Sequence, residues 1–440
     1  MPKLKSGHRR HLLHLEGGRG WGNLGLCFDV RAAILLGRMA KVLVTGGTGF
    51  VGREVVRQLL SLGYQVRVLA RQGAAENKFL AKYGVEGVAG GVGDRAALDR
   101  AMRGVDAVVH LVGIIVEKKG QTFHKVHVEG TENVVLAAEQ AGVKRFIHMS
   151  ALGRRNPDGA FSTEYHRTKA LAEKVVRGSF LEWTIFRPSV VFGPGDGFVN
   201  QLAAMMRFPW TVLQLWSFPL IGGGKTLLQP VAVGDVGRAF AGSIAHSSAV
   251  GQTYDLVGAE RLSLREILQE IATATGHDYV VEKFPWQLVM RSLLWALVVA
   301  IPLVLLVLAL LPVILAWHSG GGLADASGGT WGAIELRSVP STATQVSIPF
   351  PLPTSFFIVG IVVWFVTLIA ALRSRKLILF DLPWSQAFLA GAVLGLLPKP
   401  PLTMGQVWML QQDNVGEAGP AAQAFGLELK NFRQGIREYL

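Results

Sequence analysis

The stretch Lys41-Val42-Leu43-Val44-Thr45-Gly46-Gly47-Thr48-Gly49-Phe50-Val51-Gly52 decides the fold. Lys41 to Thr45 has the β-branched, apolar composition of a short strand. Arg53 to Leu62 then repeats Val55, Val56, Leu59 and Leu60 at helical spacing. Strand, glycine turn and helix in that order are the context a dinucleotide fingerprint needs. Gly46 permits the tight turn, Gly49 lets the backbone approach a pyrophosphate, and Gly52 allows close helix–strand packing. Thr48, Phe50 and Val51 complete the loop, and amides at the helix start face the phosphates.

Working outward, a second strand from Gln65 to Ala70 ends at Arg71, where an NAD site would usually carry an acid for the ribose 2′-hydroxyl. A guanidinium suits a 2′-phosphate instead, so NADP(H) is favoured over NAD(H). A third strand-like run ends at Gly93-Asp94, where the Asp94 carboxylate can meet the adenine amine. A fourth, Asp106 to Gly113, is almost wholly apolar, as a buried parallel strand should be. Strands alternating with helical segments predict an α/β, doubly wound parallel sheet of Rossmann type. Farther on, Tyr165-His166-Arg167-Thr168-Lys169 puts Tyr165 and Lys169 on one helix face. An adjacent ammonium is expected to lower the Tyr165 pKa and ready the phenol for proton transfer.

The composition points elsewhere as well. Apolar residues reach 50%, and charged residues are 17%, below the roughly 25% of soluble domains. The uncharged run Leu293–Trp317 spans about 37 Å as a helix at ~1.5 Å per residue, enough for a bilayer core of about 30 Å. Phe356–Leu372 is a second such run, near the lower limit of about 17 residues. Together they predict an inserted two-helix membrane hairpin; the competing reading is an apolar core pair. Lys283 and Arg291 precede the first run, and Arg373, Arg375 and Lys376 follow the second. The positive-inside rule therefore places both termini and the nucleotide domain in the cytoplasm, at an inner membrane. Ala387 to Leu397 is too short to span and is expected to be a buried or interfacial helix.

Residues 1–38 are basic but carry no apolar segment suited to a signal peptide. Met39-Ala40-Lys41 reads as a start, leaving 1–38 as a mis-called or disordered leader. The net charge of +13 comes with few interleaved aromatics outside the spans, so no nucleic-acid signature is present, and attraction to anionic lipid explains it more simply. A single cysteine, Cys27, excludes a disulfide framework, and His110, His124 and His148 lack ligand spacing, so no metal is expected. The Gly222-Gly223-Gly224-Lys225 stretch lacks phosphate-loop spacing and reads as a turn. The chain divides into a nucleotide domain at 39–200, a substrate-facing part at 201–285 with a return segment to the sheet, the insertion at 286–382 and a C-terminal segment at 383–440.

Thr45–Gly52, with Tyr165 and Lys169, resembles the extended and atypical short-chain dehydrogenases/reductases of the epimerase/dehydratase kind. Arg187–Pro194 looks like that family's strand-end motif beside the nicotinamide, and Gln229–Asp235 like its returning strand and helix. His127–Thr131, Phe146–Gly153, Gly193–Asn200 and Pro398–Asn414 are similar to the branch of the 39 kDa subunit of respiratory complex I and its bacterial relatives. The resemblance covers about Ala40–Pro285 and Pro383–Leu440.

It implies Tyr165 as general acid/base, Lys169 on the nicotinamide ribose, and Leu111, Val112, Gly113, Pro188, Val190 and Val191 against the cofactor. Two positions depart from the pattern. Catalytic members place Ser or Thr just after the fifth strand. Here the register puts Ala151 there, so Ser150 beside it is carried as the third candidate catalytic residue, with Ser162 or Thr163 as substitutes. His127 stands where many members have Asn. The expectation is an NADP(H)-dependent oxidoreductase or epimerase acting at a carbonyl or alcohol of a quinone- or isoprenoid-like lipophilic molecule. The alternative is a non-catalytic NADPH-holding accessory, assembly or sensing subunit of a respiratory or quinone-linked complex.

Overall fold

The computed structural model describes residues 40–71, 77–118, 120–153, 163–207, 217–282, 377–395 and 403–440, together with Val307. The leader 1–38 and, Val307 apart, the two apolar runs at 293–317 and 356–372 lie outside the described residues, as do Ser162, Trp210, Trp216 and Trp286. Among the described residues no helix is long and apolar enough to cross a membrane.

The nucleotide half is a regular alternation. Strand β1 (Lys41–Thr45) leads into α1 (Phe50–Ser61), β2 (Gln65–Ala70), α2 (Lys78–Lys82), β3 (Glu86–Ala89), α3 (Arg95–Met102) and β4 (Ala107–His110). A π-helical turn, His124–Glu129, runs into α4 (Gly130–Gln140). Then come β5 (Arg145–Met149), α5 (Glu164–Arg177), β6 (Glu182–Pro188), β7 (Val191–Phe192) and α6 (Val199–Arg207). The third and fourth strands are shorter than the sequence implied. Gly90 leaves β3 with φ of +150°, and Asp94 is turned out of the sheet to cap α3.

The remaining described part contains β8 (Ser217–Ile221), β9 (Leu227–Leu228), β10 (Val231–Ala232), α7 (Val233–Ser243), β11 (Gln252–Leu256), β12 (Leu262–Ser263), α8 (Leu264–Ala274) and β13 (Tyr279–Glu282). β14 (Leu377–Leu382) falls within the stretch expected to be inserted, 286–382, yet it pairs with β13 and β8, so the small sheet resumes by Leu377; α9 (Trp384–Leu394), α10 (Met404–Leu410), α11 (Ala418–Phe425) and α12 (Phe432–Arg437) follow. Leu396 and Leu397 of the third apolar stretch fall outside the described residues.

The main sheet has seven strands in the order β11-β6-β5-β4-β1-β2-β3, all parallel. This is a doubly wound Rossmann sheet: order reverses beside β1, and ligands bind at such a switch point, beyond the carboxyl ends of the strands. Both faces are covered, one by Val55, Val56 and Leu59 of α1 with Phe240 of α7, the other by Leu98 and Met102 of α3 with Val134 and Ala138 of α4. The seventh strand, β11, reaches the sheet from the part beyond residue 200, so the two parts share one sheet. A smaller parallel sheet, β13-β14-β8, packs with α6, α8 and α12 around Phe218, Leu220, Ile267 and Phe432.

Candidate active site

Three loops leave the carboxyl ends of β1, β4 and β6, and they meet. Gly46 has φ of +79°, and a Cβ there would lie 3.3 Å from the Leu111 carbonyl carbon and the Val112 nitrogen. A Cβ on Gly52 would sit 2.2 Å from the Gly46 oxygen, so any side chain would drive α1 off the turn. At the other end of the loop, the Phe50 ring comes within 3.7 Å of the Cβ position of Gly193, just past Val190 and Val191. Gly49 caps α1 without a side-chain acceptor, and the first turn holds no acid, which leaves the initial amides suited to an anion. These residues fit a dinucleotide pyrophosphate, a reading carried by the space that only glycine leaves.

Around the adenosine end, Arg71 is exposed at the end of β2, and its Cγ is 3.6 Å from the Cβ position of Gly91 beyond β3. Asp94 accepts from the Ala97 amide with Oδ1 at 3.0 Å, so half of its carboxylate is spent on capping α3. Sequence reasoning used Arg53 only as the helix start. In the structure its Nε donates to the Thr48 carbonyl at 2.9 Å and its guanidinium lies 5.7 Å from the Phe79 ring centroid, on the side of the β2–α2 connection. A base directly after the third glycine was the available signal.

Helix α5 presents Tyr165 and Lys169. Thr163 caps it by accepting from the His166 amide, Glu164 sits in the first turn, and Lys174 and Arg177 sit in the last, all favourable to the helix dipole. The Tyr165 ring packs edge-on against His127 at 5.5 Å and Phe123 at 5.8 Å. Lys169 points its ammonium at the Met149 carbonyl, donating at 2.9 Å. Burial pushes Tyr165 up to about 12 and Lys169 down to about 8, with Glu173 partly countering the latter. The expected lowering of Tyr165 by its neighbour is therefore corrected. In this packing, desolvation outweighs the ammonium, because burial penalises phenolate and ammonium alike.

Ser150 is buried, and its hydroxyl donates to Glu173 Oε1 at 2.6 Å. The same carboxylate takes a fork from Arg187, Nε at 2.7 Å and Nη2 at 2.6 Å, and a longer bond from Arg177 at 3.2 Å. Burial would raise the Glu173 carboxyl, yet the bonds from Arg187 and Ser150 hold it below its ordinary value. Ser150 is thus tied to a β5–α5–β6 clasp, and together with Glu173, Arg187, Ala151, Lys169 and His166 it lines a cavity of about 420 Å³. Thr163 Oγ1 is 3.0 Å from His166 Nδ1 as well as capping, so its hydroxyl is engaged with the helix.

Two further groups join the site: His127, noted in the sequence only as a departure from the family's Asn, and Asn414, which the sequence did not mark as a site residue. His127 Nε2 lies 3.1 Å from both the amide nitrogen and the carbonyl oxygen of Ile114, and its Nδ1 is 2.9 Å from Thr168 Oγ1. Asn414, far along the chain, donates to the Leu152 carbonyl at 2.9 Å and accepts from the Ser189 hydroxyl through its side chain. Leu152 in turn donates to the Pro188 carbonyl at 3.0 Å. The C-terminal segment thereby joins the loops after β5 and β6. Among the described residues no cluster of His, Cys, Asp and Glu could hold a metal.

A family model described as NAD(P)H-binding matches residues 46–197. The chain is 32% identical over 247 residues to mitochondrial NADH dehydrogenase [ubiquinone] 1 alpha subcomplex subunit 9 of Mus musculus, covering 55% of this chain and 63% of that one. It thus spans slightly less than two thirds of that relative. It is 33% identical over 245 residues to (4-alkanoyl-5-oxo-2,5-dihydrofuran-3-yl)methyl phosphate reductase of Streptomyces griseus, covering 55% of this chain and 76% of that one. Over 155 residues it is 36% identical to ceramide reductase of Caulobacter vibrioides, covering 35% and 47%. With the glycine cradle, the doubly wound sheet and these relatives together, the chain belongs to the NAD(P)H-binding short-chain dehydrogenase/reductase family and is homologous over part of its length to the 39 kDa-type subunit of complex I.

Proposed function

We propose that this protein is an NADP(H)-dependent reductase acting on a carbonyl, or in reverse an alcohol, of a lipophilic substrate at the cytoplasmic face of a membrane. The observation that carries the reading is the placement of Tyr165 and Lys169 on α5 beside the loop Leu111–Gly113 and the glycine cradle: a Cβ on Gly113 would lie 3.2 Å from Lys169 Nζ. Bound NADPH supplies the hydride. Gly46–Gly52 would hold its pyrophosphate, Arg71 with Arg53 its 2′-phosphate, and Val190 and Val191 would flank the nicotinamide. Tyr165 is a proton donor at neutral pH, since burial keeps the phenol protonated. Lys169 keeps donors in reserve beyond its bond to Met149, and these suit the nicotinamide ribose.

The lipophilic substrate rests on the two uncharged runs, Leu293–Trp317 and Phe356–Leu372, which would anchor the cleft at the bilayer, and on ceramide reductase among the relatives. A quinone or an isoprenoid-like molecule meets the same requirement. The Tyr165→Phe variant tests catalysis. NADPH oxidation with long-chain ketones and quinones in mixed micelles should fall by about a hundredfold or more, with NADPH affinity unchanged. Equal rates in both proteins would sink the reading. Arg71→Asp should reverse the preference between NADPH and NADH in a binding titration.

A second reading is an NADPH-holding accessory or sensing subunit of a respiratory or quinone-linked complex. Ala151 at the position of the expected hydroxyl and the kinship to a mitochondrial NADH dehydrogenase subunit favour it. Nucleotide that stays bound through gentle purification from membranes and barely exchanges with added NADPH would support this reading over turnover.

A further inference from the structure

Helices α9 and α10 pack as a pair with an unusual outer face. Their inner side is fixed: Ala387 and Val407 are fully buried with Ile221, and Gly391 brings the backbones together, its Cβ position lying 3.1 Å from the Met404 amide. Trp384 is also inner, because its indole fills the space that Gly222 leaves by lacking a side chain. The outer side is apolar. Leu389 is 68% exposed and Val393 59%, one turn apart on α9; Met404 and Trp408, one turn apart on α10, are 44% and 46% exposed. No acid or base occurs between Pro383 and Gly395 or between Thr403 and Gln412. Contiguous exposed apolar surface of this kind marks an interaction site.

The register of the small sheet locates this face. Glu282, the last residue of β13, pairs with Phe380 of β14, just before α9 begins. The two strands are parallel, so β13, the last described strand before the first uncharged run in sequence, ends at the same edge of the sheet from which α9 departs. The basic residues Arg373, Arg375, Lys376 and Lys399 flank β14, α9 and α10 in sequence, which suits an anionic lipid surface. Trp408, packed at a tilt against Phe388 with ring centroids 4.7 Å apart, is the amphipathic ring type enriched at headgroup depth.

We propose that Leu389, Val393, Met404 and Trp408 form a docking face that lies in the headgroup region of the membrane beside the entry of the first span. The inference rests on the membrane reading above and adds to it a second, monotopic contact. Such a contact would hold the small sheet, and with it the substrate-facing part, against the lipid from which a lipophilic substrate is drawn.

The test uses the full chain with Cys27→Ser, carrying one added cysteine labelled with a nitrobenzoxadiazole fluorophore, in vesicles of phosphatidylcholine and phosphatidylglycerol. Leu389→Cys is the probe, Leu305→Cys reports the first run, and Leu62→Cys, the exposed residue just past α1, is the aqueous control. Shallow brominated lipid should quench the Leu389→Cys label at least twofold more than the Leu62→Cys label, and aqueous iodide should quench it less. Iodide quenching equal to that of the control overturns the docking face, and so does shielding from both quenchers, which would mean a protein covers it. Deep brominated lipid quenching at Leu305→Cys with none at Leu389→Cys refutes this inference alone. Absence of lipid quenching at both positions refutes the membrane reading itself.

Discussion

Nδ1 of His127 lies 2.9 Å from the Thr168 hydroxyl, joining the turn before α4 to the helix that carries Tyr165 and Lys169. Nε2 lies 3.1 Å from both the amide and the carbonyl oxygen of Ile114; with the Thr168 proton on the Glu164 carbonyl at 2.9 Å or the Tyr165 carbonyl at 3.0 Å, Nδ1 carries the ring hydrogen and donates. Nε2 is then left to accept from the Ile114 amide. Burial, reinforced by Lys169, pushes the imidazole down to about 3, so it stays neutral while serving both bonds. His127→Ala leaves a buried amide without its acceptor and should cost about 1–3 kcal/mol in denaturant unfolding. His127→Phe fills the space but makes neither bond, so a comparable loss is expected there. A loss confined to the alanine variant would show that packing, not the two bonds, is what matters.

The glycine cradle makes a graded prediction. Gly52→Ala puts a methyl 2.2 Å from the Gly46 oxygen and 2.7 Å from the Gly47 Cα, both backbone atoms that cannot rotate away. NADPH affinity should drop at least tenfold, with destabilisation of about 1–3 kcal/mol from overpacking. Gly113→Ala meets the Lys169 ammonium at 3.2 Å, the tip of a flexible side chain. Its effect should be smaller on stability and visible chiefly in nucleotide affinity. Calorimetric titration and thermal melts on the same pair of variants separate the two effects.

Asn414 is bound to Leu152 and Ser189, residues on the loops after β5 and β6. Asn414→Ala should leave nucleotide binding within about twofold, since no part of the glycine cradle depends on it. Turnover of a lipophilic ketone should fall, with a rise in KM, because Ala151 and the wall of the cavity lose their tie to the C-terminal segment. Asn414→Asp retains an acceptor for Ser189 but no donor for Leu152, so partial recovery would assign the effect to Ser189.

Buried imidazoles set the acid limit of stability. His110 is pushed down to about 3 by burial, with Lys169 and His127 adding to it, and His148 is lowered further by burial beside His110. The unfolded chain protonates these groups near 6.5, so it binds more protons than the native state below that pH. Their contribution is complete above about 6.5 and is lost as pH falls toward 3. Neither ring nitrogen of His148 has a hydrogen-bond partner among the described residues, and the ring stacks on His110 at 5.4 Å. His148→Phe should therefore raise the melting temperature, and by more at pH 5 than at pH 8. Equal gains at both values would contradict a lowered His148 pKa.

The basic limit of activity belongs to a different group. Lys169 titrates at about 8, well before Tyr165 at about 12, so ketone reduction should decline as pH rises through about 8. Lys169→Arg keeps its charge throughout, and in that variant the decline should move to higher pH whatever its absolute rate.

Local sterics made part of this protein legible in the chain alone. The alternation of β1, α1 and β2 follows from residue spacing, and Gly46 and Gly52 follow from the tight turn between them, because each depends only on near neighbours. The reach of Tyr165 and Lys169 along α5 is of the same kind. Strand ends were less legible: β3 stops at Ala89 because Asp94 is taken by the helix cap, a competition that periodicity does not reveal. The direction of the Lys169 ammonium, the commitment of Ser150 to Glu173 and the binding of Asn414 across the site are contacts between residues distant in sequence. Their energies come from burial, which only the packed fold determines. The same holds for Tyr165: its four-residue separation from Lys169 was written in the sequence, but the desolvation that raises its pKa arises only once Phe123, His127 and His166 close around the ring.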